Sequence, residues 1–281
     1  MIILHSNQLF QNFKTTGGTM SYYYRPPKGN HATIIFFQAF GGDSDYYNFK
    51  TVIDNLSQDD GILTFDYLGY GLSDITDQPQ TLPNTVNEFR QLFASLNLGS
   101  TVIFAHSIGG VFALYDYLNF SNRVIAFVSI EPTTYEVVHA HPQGAELFAE
   151  AADEFHQLTP DQKTARQKDL AIQGDINPLL SAEDTAANTK ILAGKMYNRN
   201  LVAQTQNWKA ILKPIANQKL PNQLPTLLFS TPNRQAEFKQ SGYVTQHPKS
   251  RVVVLKGNHY LHWQYPKLIA TTTDQFINSL G

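Results

Sequence analysis

The sequence predicts an α/β architecture, a mostly parallel central sheet flanked by helices, with a helical insertion before its last two strands. Three observations carry this. Short β-branched and aromatic runs alternate with longer amphipathic ones, the trace of a parallel sheet covered by helices. From about Thr133 to Asn222 the strand-like runs stop and helix signals take over, until Pro225-Thr226-Leu227-Leu228-Phe229 resumes the strand pattern. The chain has 281 residues, 42% of them hydrophobic, enough for one sizeable core carrying an insertion.

Taken in order, strands are expected at Ser21 to Arg25, Thr33 to Gln38, Ile62 to Asp66, Thr101 to Ala105, Val124 to Ile130, Thr226 to Ser230 and Arg251 to Leu255. Each is a short apolar or β-branched run bounded by turn residues. Helices are expected at about 45 to 58, 84 to 97, 108 to 119 and 266 to 279. Within the insertion, Phe148, Ala151, Ala152 and Phe155 repeat at helical spacing. Thr159-Pro160 is a cap followed by a first-turn proline, and Ser181 to Asp184 resembles a capping box with Asp in place of Glu. The organisation that follows is a core of residues 1–132 and 223–281 with a helical cap at 133–222.

Composition narrows the function. Charged residues make up 16% and the formal net charge is -2, so no basic stripe invites nucleic acid or an anionic membrane. Cysteine is absent, which excludes disulfides, thiolate metal ligands and a cysteine nucleophile. The first residues lack a basic segment leading into a long apolar one, and no apolar run approaches the ~18 residues of a membrane span. A cytoplasmic protein is the expectation. His139 and His141 have a spacing that could hold a metal, but no carboxylate set or cysteine completes a site; they are read as surface or cap-hinge residues, and no metal is expected.

The most informative segment is Ala105-His106-Ser107-Ile108-Gly109-Gly110, between the run Thr101-Val102-Ile103-Phe104 and the helix-like Val111-Phe112-Ala113-Leu114-Tyr115. A serine among small residues at a strand-to-helix junction is the layout of a nucleophile elbow, where a sharp turn lifts the hydroxyl above the sheet. A serine N-cap on an ordinary helix is the alternative. Three further glycine- or histidine-bearing loops follow predicted strands: Gln38-Ala39-Phe40-Gly41-Gly42, Asp66-Tyr67-Leu68-Gly69-Tyr70-Gly71-Leu72-Ser73-Asp74, and Gly257-Asn258-His259-Tyr260-Leu261-His262-Trp263-Gln264-Tyr265-Pro266. All four fall on the carboxyl edge of the sheet, where open α/β sheets bind ligands.

On these segments the chain resembles an α/β-hydrolase with a helical cap, over nearly its whole length and with nucleophile preceding histidine as that family requires. Two departures stand out: Gln38-Ala39 replaces the frequent His-Gly, and Ala105 replaces the first glycine of the elbow. The resemblance implies Ser107 as nucleophile, His259 as general base with His262 as its rival, and the backbone N–H groups of Phe40 and Ile108 as the oxyanion hole. Because Ser107 stands where haloalkane dehalogenases and epoxide hydrolases carry an aspartate, the resemblance argues against their chemistry. Most relatives place the acid after the strand matching Thr226 to Ser230, but Thr231 to Glu237 has no carboxylate at the usual place. Glu131, after Val124 to Ile130, matches the position used by a subset of relatives and is preferred, with Glu237 second. The expected activity is cleavage of a small ester or other acyl substrate without a cofactor. A non-catalytic ligand-binding protein, and a carbon-carbon bond hydrolase or perhydrolase on the same triad, are the alternatives.

Overall fold

A computed structural model describes residues 9–120, 123–136, 143–173 and 176–281; His139 and His141 lie outside the described residues. Eight strands form one sheet in the order β1-β2-β4-β3-β5-β6-β7-β8. These are β1 (Gln11–Lys14), β2 (Thr19–Arg25), β3 (Thr33–Phe37), β4 (Gly61–Phe65), β5 (Thr101–His106), β6 (Val124–Ile130), β7 (Thr226–Ser230) and β8 (Arg251–Val254). The β1–β2 and β2–β4 pairs are antiparallel, and every pair from β4 through β8 is parallel.

The central strands are mostly apolar because both of their faces are covered. Along β3, Ile34 and Phe36 enter one core while Ile35 and Phe37 enter the other, and along β5 Val102 and Phe104 oppose Ile103 and Ala105 in the same way. On one face the rings of Phe37, Phe65 and Phe89 pack edge to face or tilted, and on the other Phe36, Phe49 and Phe104 do so. Burying a phenyl side chain is worth about 2 to 3 kcal/mol, so these clusters make the sheet centre a stiff platform.

Helices α1 (Asp45–Ile53), α2 (Leu82–Leu96), α3 (Gly109–Phe120) and, at the C-terminus, Pro266–Asn278 flank the sheet. The second begins two residues earlier than the sequence pattern suggests, because the Thr81 hydroxyl accepts from the Asn84 N–H and Pro83 occupies the first turn, where its missing N–H costs nothing. The first ends at Ile53, short of the expected 58. Strand β1 was not expected: its four residues are largely exposed and carry no apolar alternation. Conversely, the apolar strand expected at Arg251 to Leu255 spans Arg251–Val254, closes the sheet and stands half-exposed.

Between β6 and β7 the chain is helical in every described element: Gln143–Gln157, Pro160–Gln173, α6 (Ala182–Lys195), α7 (Arg199–Gln206), Trp208–Leu212 and a 3-10 turn at Lys213–Ile215, numbering the two after α3 as α4 and α5. Ser181 caps α6 by accepting from the Asp184 N–H. This segment lies over the strand ends. Phe148 of α4 and Trp208 pack on Phe40 at 5.1 and 5.7 Å between centroids, Asn198 donates to the Gly69 carbonyl, and Tyr70 donates to Gln204 at 2.6 Å. No described helix is long and apolar enough to cross a membrane.

Candidate active site

Strands β5 and β6 run in parallel register, with His106 opposite Ile130. Each is followed by a residue with left-handed backbone, Ser107 at φ 53° and Glu131 at φ 44°. Such a φ is unfavourable for a side chain larger than hydrogen and is held only by its surroundings. For Ser107 the holding bonds are its N–H to the Ile130 carbonyl at 3.2 Å and its own carbonyl accepting from the Thr133 N–H at 2.9 Å. Small neighbours make the turn feasible: a Cβ on Gly109 would stand 2.1 Å from the Phe37 carbonyl oxygen, and one on Gly110 would stand 2.8 Å from Pro132. Ala105 in place of glycine is accommodated, fully buried. Ser107 therefore sits on a strand-turn-helix elbow, with its Oγ 3.4 Å from the Thr133 hydroxyl.

The close approach of Gly109 to Phe37 and Gln38 brings the end of β3 against the start of α3, and with it the loop containing Phe40. Among the described residues, no acceptor pairs with the N–H of Phe40 or of Ile108. Beneath that loop the Gln38 amide is wholly buried with neither of its polar atoms paired to a described residue.

The histidine loop after β8 is fixed from below. The carbonyl of His259 can only accept, so His106 Nε2 is the donor in their 3.0 Å contact, and the two rings lie 4.7 Å apart. His259 is 40% exposed at its side chain, and its Nδ1 is 3.8 Å from Glu131 Oε2. His262 occupies a different place: it is fully buried, bonded through Nε2 to Asn48 Oδ1 at 2.9 Å, and packed on Phe49. Neighbouring Trp263 donates to the Asn48 carbonyl and stacks on Tyr260. Burial, reinforced by the other histidines, holds both His106 and His262 well below the usual imidazole range, so both are neutral.

Glu131 is 2% exposed at its side chain. Oε1 accepts from the Thr231 N–H at 2.6 Å and the Thr231 hydroxyl at 3.1 Å, and Oε2 accepts from Arg234 Nη1 at 3.0 Å. Burial by itself would raise this carboxyl, but the nearby His259 ring, the Thr231 N–H and the Arg234 guanidinium outweigh it and leave Glu131 below the ordinary glutamate value, hence ionised. Glu237 points elsewhere, bonded to Arg234 at 2.7 and 2.9 Å and to the Thr134 hydroxyl at 2.5 Å.

The glycine-rich loop after β4 is an internally bonded support. Asp66 accepts from the N–H groups of Leu72 and Asp45, both at 2.8 Å, and a Cβ on Gly71 would collide with its carboxylate at 2.1 Å. Burial raises Asp66 to about 6. Above the strand ends lies a cleft of about 200 Å³ lined by Phe40, Phe148, Leu192, Met196, Leu201 and Tyr260, among others. Thr133 joins Ser107, and Thr231 and Arg234 join Glu131, without a motif to announce them; only the fold shows that the loops after β6 and β7 meet.

A family model for the alpha/beta hydrolase fold matches residues 32–266, and the chain belongs to that family. Among solved structures it is similar to Smu.1393c from the cariogenic pathogen Streptococcus mutans, at 23% identity over 96% of this chain and 98% of that one with a TM-score of 0.71. It is also similar to the haloalkane dehalogenase DatA from Agrobacterium tumefaciens C58, at 18% identity, 97% of each chain and a TM-score of 0.70. The haloalkane dehalogenase DbeA from Bradyrhizobium elkani USDA94 matches at 18% identity, 96% of this chain and 98% of that one, with a TM-score of 0.66. At these identities the likeness is one of fold.

Proposed function

We propose that this protein is a serine hydrolase of small esters or other acyl substrates, using Ser107, His259 and Glu131. The observation that supports the reading is Ser107 at a left-handed elbow beside the strand end that carries an ionised Glu131, with His259 Nδ1 3.8 Å from that carboxylate. Ser107 Oγ attacks the carbonyl carbon while His259 takes its proton; Glu131 orients the ring and stabilises the imidazolium. The unpaired N–H groups of Phe40 and Ile108 receive the oxyanion. Collapse of the tetrahedral intermediate expels the alcohol, protonated by His259, and water then cleaves the acyl-enzyme by the same route.

Several of the structural neighbours are haloalkane dehalogenases, but Ser107 does not suit that reaction. Displacement of a halide by a serine oxygen leaves an ether, which water does not cleave with the aid of an oxyanion hole. Displacement on an acyl carbon leaves an ester, which it does. The helical segment between β6 and β7 acts as a cap, and its apolar lining, Phe148, Leu192, Met196 and Leu201, favours a short apolar acyl or alcohol group in the cleft.

The test is a fluorophosphonate probe followed by a chain-length panel of nitrophenyl esters. Labelling confined to Ser107, with turnover of short esters, is the expected result. A wild-type protein that takes no label and turns over no ester overturns the reading in favour of a ligand-binding member of the family. Labelling with turnover only of a diketone or of peroxide moves the reaction class while keeping the nucleophile.

A further inference from the structure

We propose that Arg234 is a positioning residue for the site, clamping the Glu131 carboxylate in the place from which it meets His259; this rests on the triad reading given above. Arg234 lies in the loop after β7 and is mostly buried, at 16% side-chain exposure. Every nitrogen of its guanidinium is committed. Nη1 donates to Glu131 Oε2 at 3.0 Å and to the Glu131 carbonyl at 3.4 Å, Nη2 to the Pro132 carbonyl at 3.2 Å and Glu237 Oε1 at 2.7 Å, and Nε to Glu237 Oε2 at 2.9 Å. The guanidinium also lies over the Phe238 ring, 4.4 Å from its centroid.

Two consequences follow. The first is mechanical. Glu131 leaves β6 in a strained backbone conformation, and Arg234 grips both its carbonyl and its carboxylate. Thr231 fixes Oε1, so Oε2 is the oxygen presented to His259, and Arg234 determines where it stands. The second is electrostatic. Oε2 is shared between a permanent cation at 3.0 Å and the His259 ring at 3.8 Å, so the imidazolium meets a carboxylate whose charge is already partly answered. Among the described residues, the charged groups linked to His259 are Glu131, with Arg234 behind it and Glu237 behind that, while the rings of His106 and Tyr260 pack against it and His262 packs on His106. With both buried histidines neutral, Arg234 and Glu237 act on Glu131 with opposite charge. Removing the guanidinium favours the imidazolium and removes base from the enzyme at mildly acidic pH, whereas neutralising Glu237 leaves Arg234 less compensated and acts in the opposite direction.

The test reads the His259 ring directly, by NMR titration of its C–H signals in wild type, Arg234→Gln, Arg234→Lys and Glu237→Gln, alongside pH profiles of kcat and KM for a short ester. In Arg234→Gln the His259 midpoint moves up by roughly one pH unit, the acid limb of kcat/KM moves with it, and kcat falls about tenfold with KM little changed. Arg234→Lys restores most of the midpoint but not of kcat, since one ammonium cannot bridge Glu131, Pro132 and Glu237 together. Glu237→Gln moves the midpoint down by a smaller amount. An unmoved midpoint in folded Arg234→Gln overturns the proposal, as does a Glu237→Gln shift of the same sign as that of Arg234→Gln. If Arg234→Gln does not fold, Glu237→Gln decides by its sign. These titrations need no turnover, so failure of phosphonate labelling would remove the hydrolase reading without deciding the role of Arg234.

Discussion

The strand ends and the helical segment above them are built on different terms. Around Ser107 and Glu131 the strands β3, β5, β6 and β7 are buried along nearly their full length, and the catalytic candidates are fixed by backbone bonds to neighbouring strands. In the segment between β6 and β7, Leu147 in a helix and Leu179 in a turn stand 63% and 54% exposed, while Leu201, Ile211 and Leu212 anchor the segment in the core. Under the proposed serine-hydrolase reading, the difference is a division of labour: chemistry on the sheet edge, substrate choice on the cover. Substitutions at the strand ends should therefore act on kcat, and substitutions in the cover on the pattern of substrates accepted.

The largest expected effect breaks the first half of that comparison. Ser107→Ala should lower kcat by about 10⁴-fold or more, as loss of a nucleophile does, with an unchanged circular dichroism spectrum; turnover within tenfold of wild type would place the chemistry elsewhere. Next, Glu131→Gln keeps the shape of the side chain and removes the charge that stabilises the imidazolium. A loss of about 10²- to 10⁴-fold in kcat is expected, against a few-fold at most for Glu237→Gln, assayed side by side.

On the cover, Phe148→Ala removes the ring that packs on Phe40. It should change the ratio of hexanoate to acetate ester turnover by about tenfold while acetate turnover stays within a few-fold. A uniform loss across the series would mean that the cover helps to organise the catalytic groups themselves.

The smallest effect concerns stability. His106 and His262 are depressed in the fold by burial, so below about pH 6.5 the unfolded chain binds protons that the folded chain does not, and their contribution is present above that pH and lost as the pH falls. Asp66, raised to about 6 by burial, acts with the opposite sign, its contribution being lost as the pH rises from about 4 to 6. Urea unfolding of wild type and His262→Asn between pH 7 and 5 separates the two, because only the histidine part changes. Wild type should lose up to about 1 kcal/mol per pH unit more than the variant, and parallel curves would show that His262 titrates normally in the fold.

Much of this was legible beforehand, and the reasons are local. The central strands among those expected are runs whose burial on both faces favours apolar residues at most positions, and the elbow needs small residues at Ala105, Gly109 and Gly110 because two backbones approach there. What escaped notice depends on contacts distant in sequence. Gln11–Lys14 is a strand because Thr19–Arg25 offers it an edge, not because of its own pattern. His262 differs from His259 through Asn48, more than two hundred residues earlier. No local pattern marks Arg234, since its partners Glu131 and Pro132 lie about a hundred positions upstream.

The two left-handed residues at the ends of β5 and β6 carry a consequence for how such a chain ages. At each, a side chain is kept in a backbone shape that glycine would adopt at lower cost, by about 1 kcal/mol. Ser107→Gly and Glu131→Gly therefore relieve strain in the same step that removes a working group, and for Ser107→Gly the relief should appear as a melting temperature a few degrees above wild type. Under the proposed reading, random change at the elbow would drift toward sturdier, silent descendants unless turnover were demanded of them. A serine nucleophile at this turn would then persist against the folding preference of its own backbone.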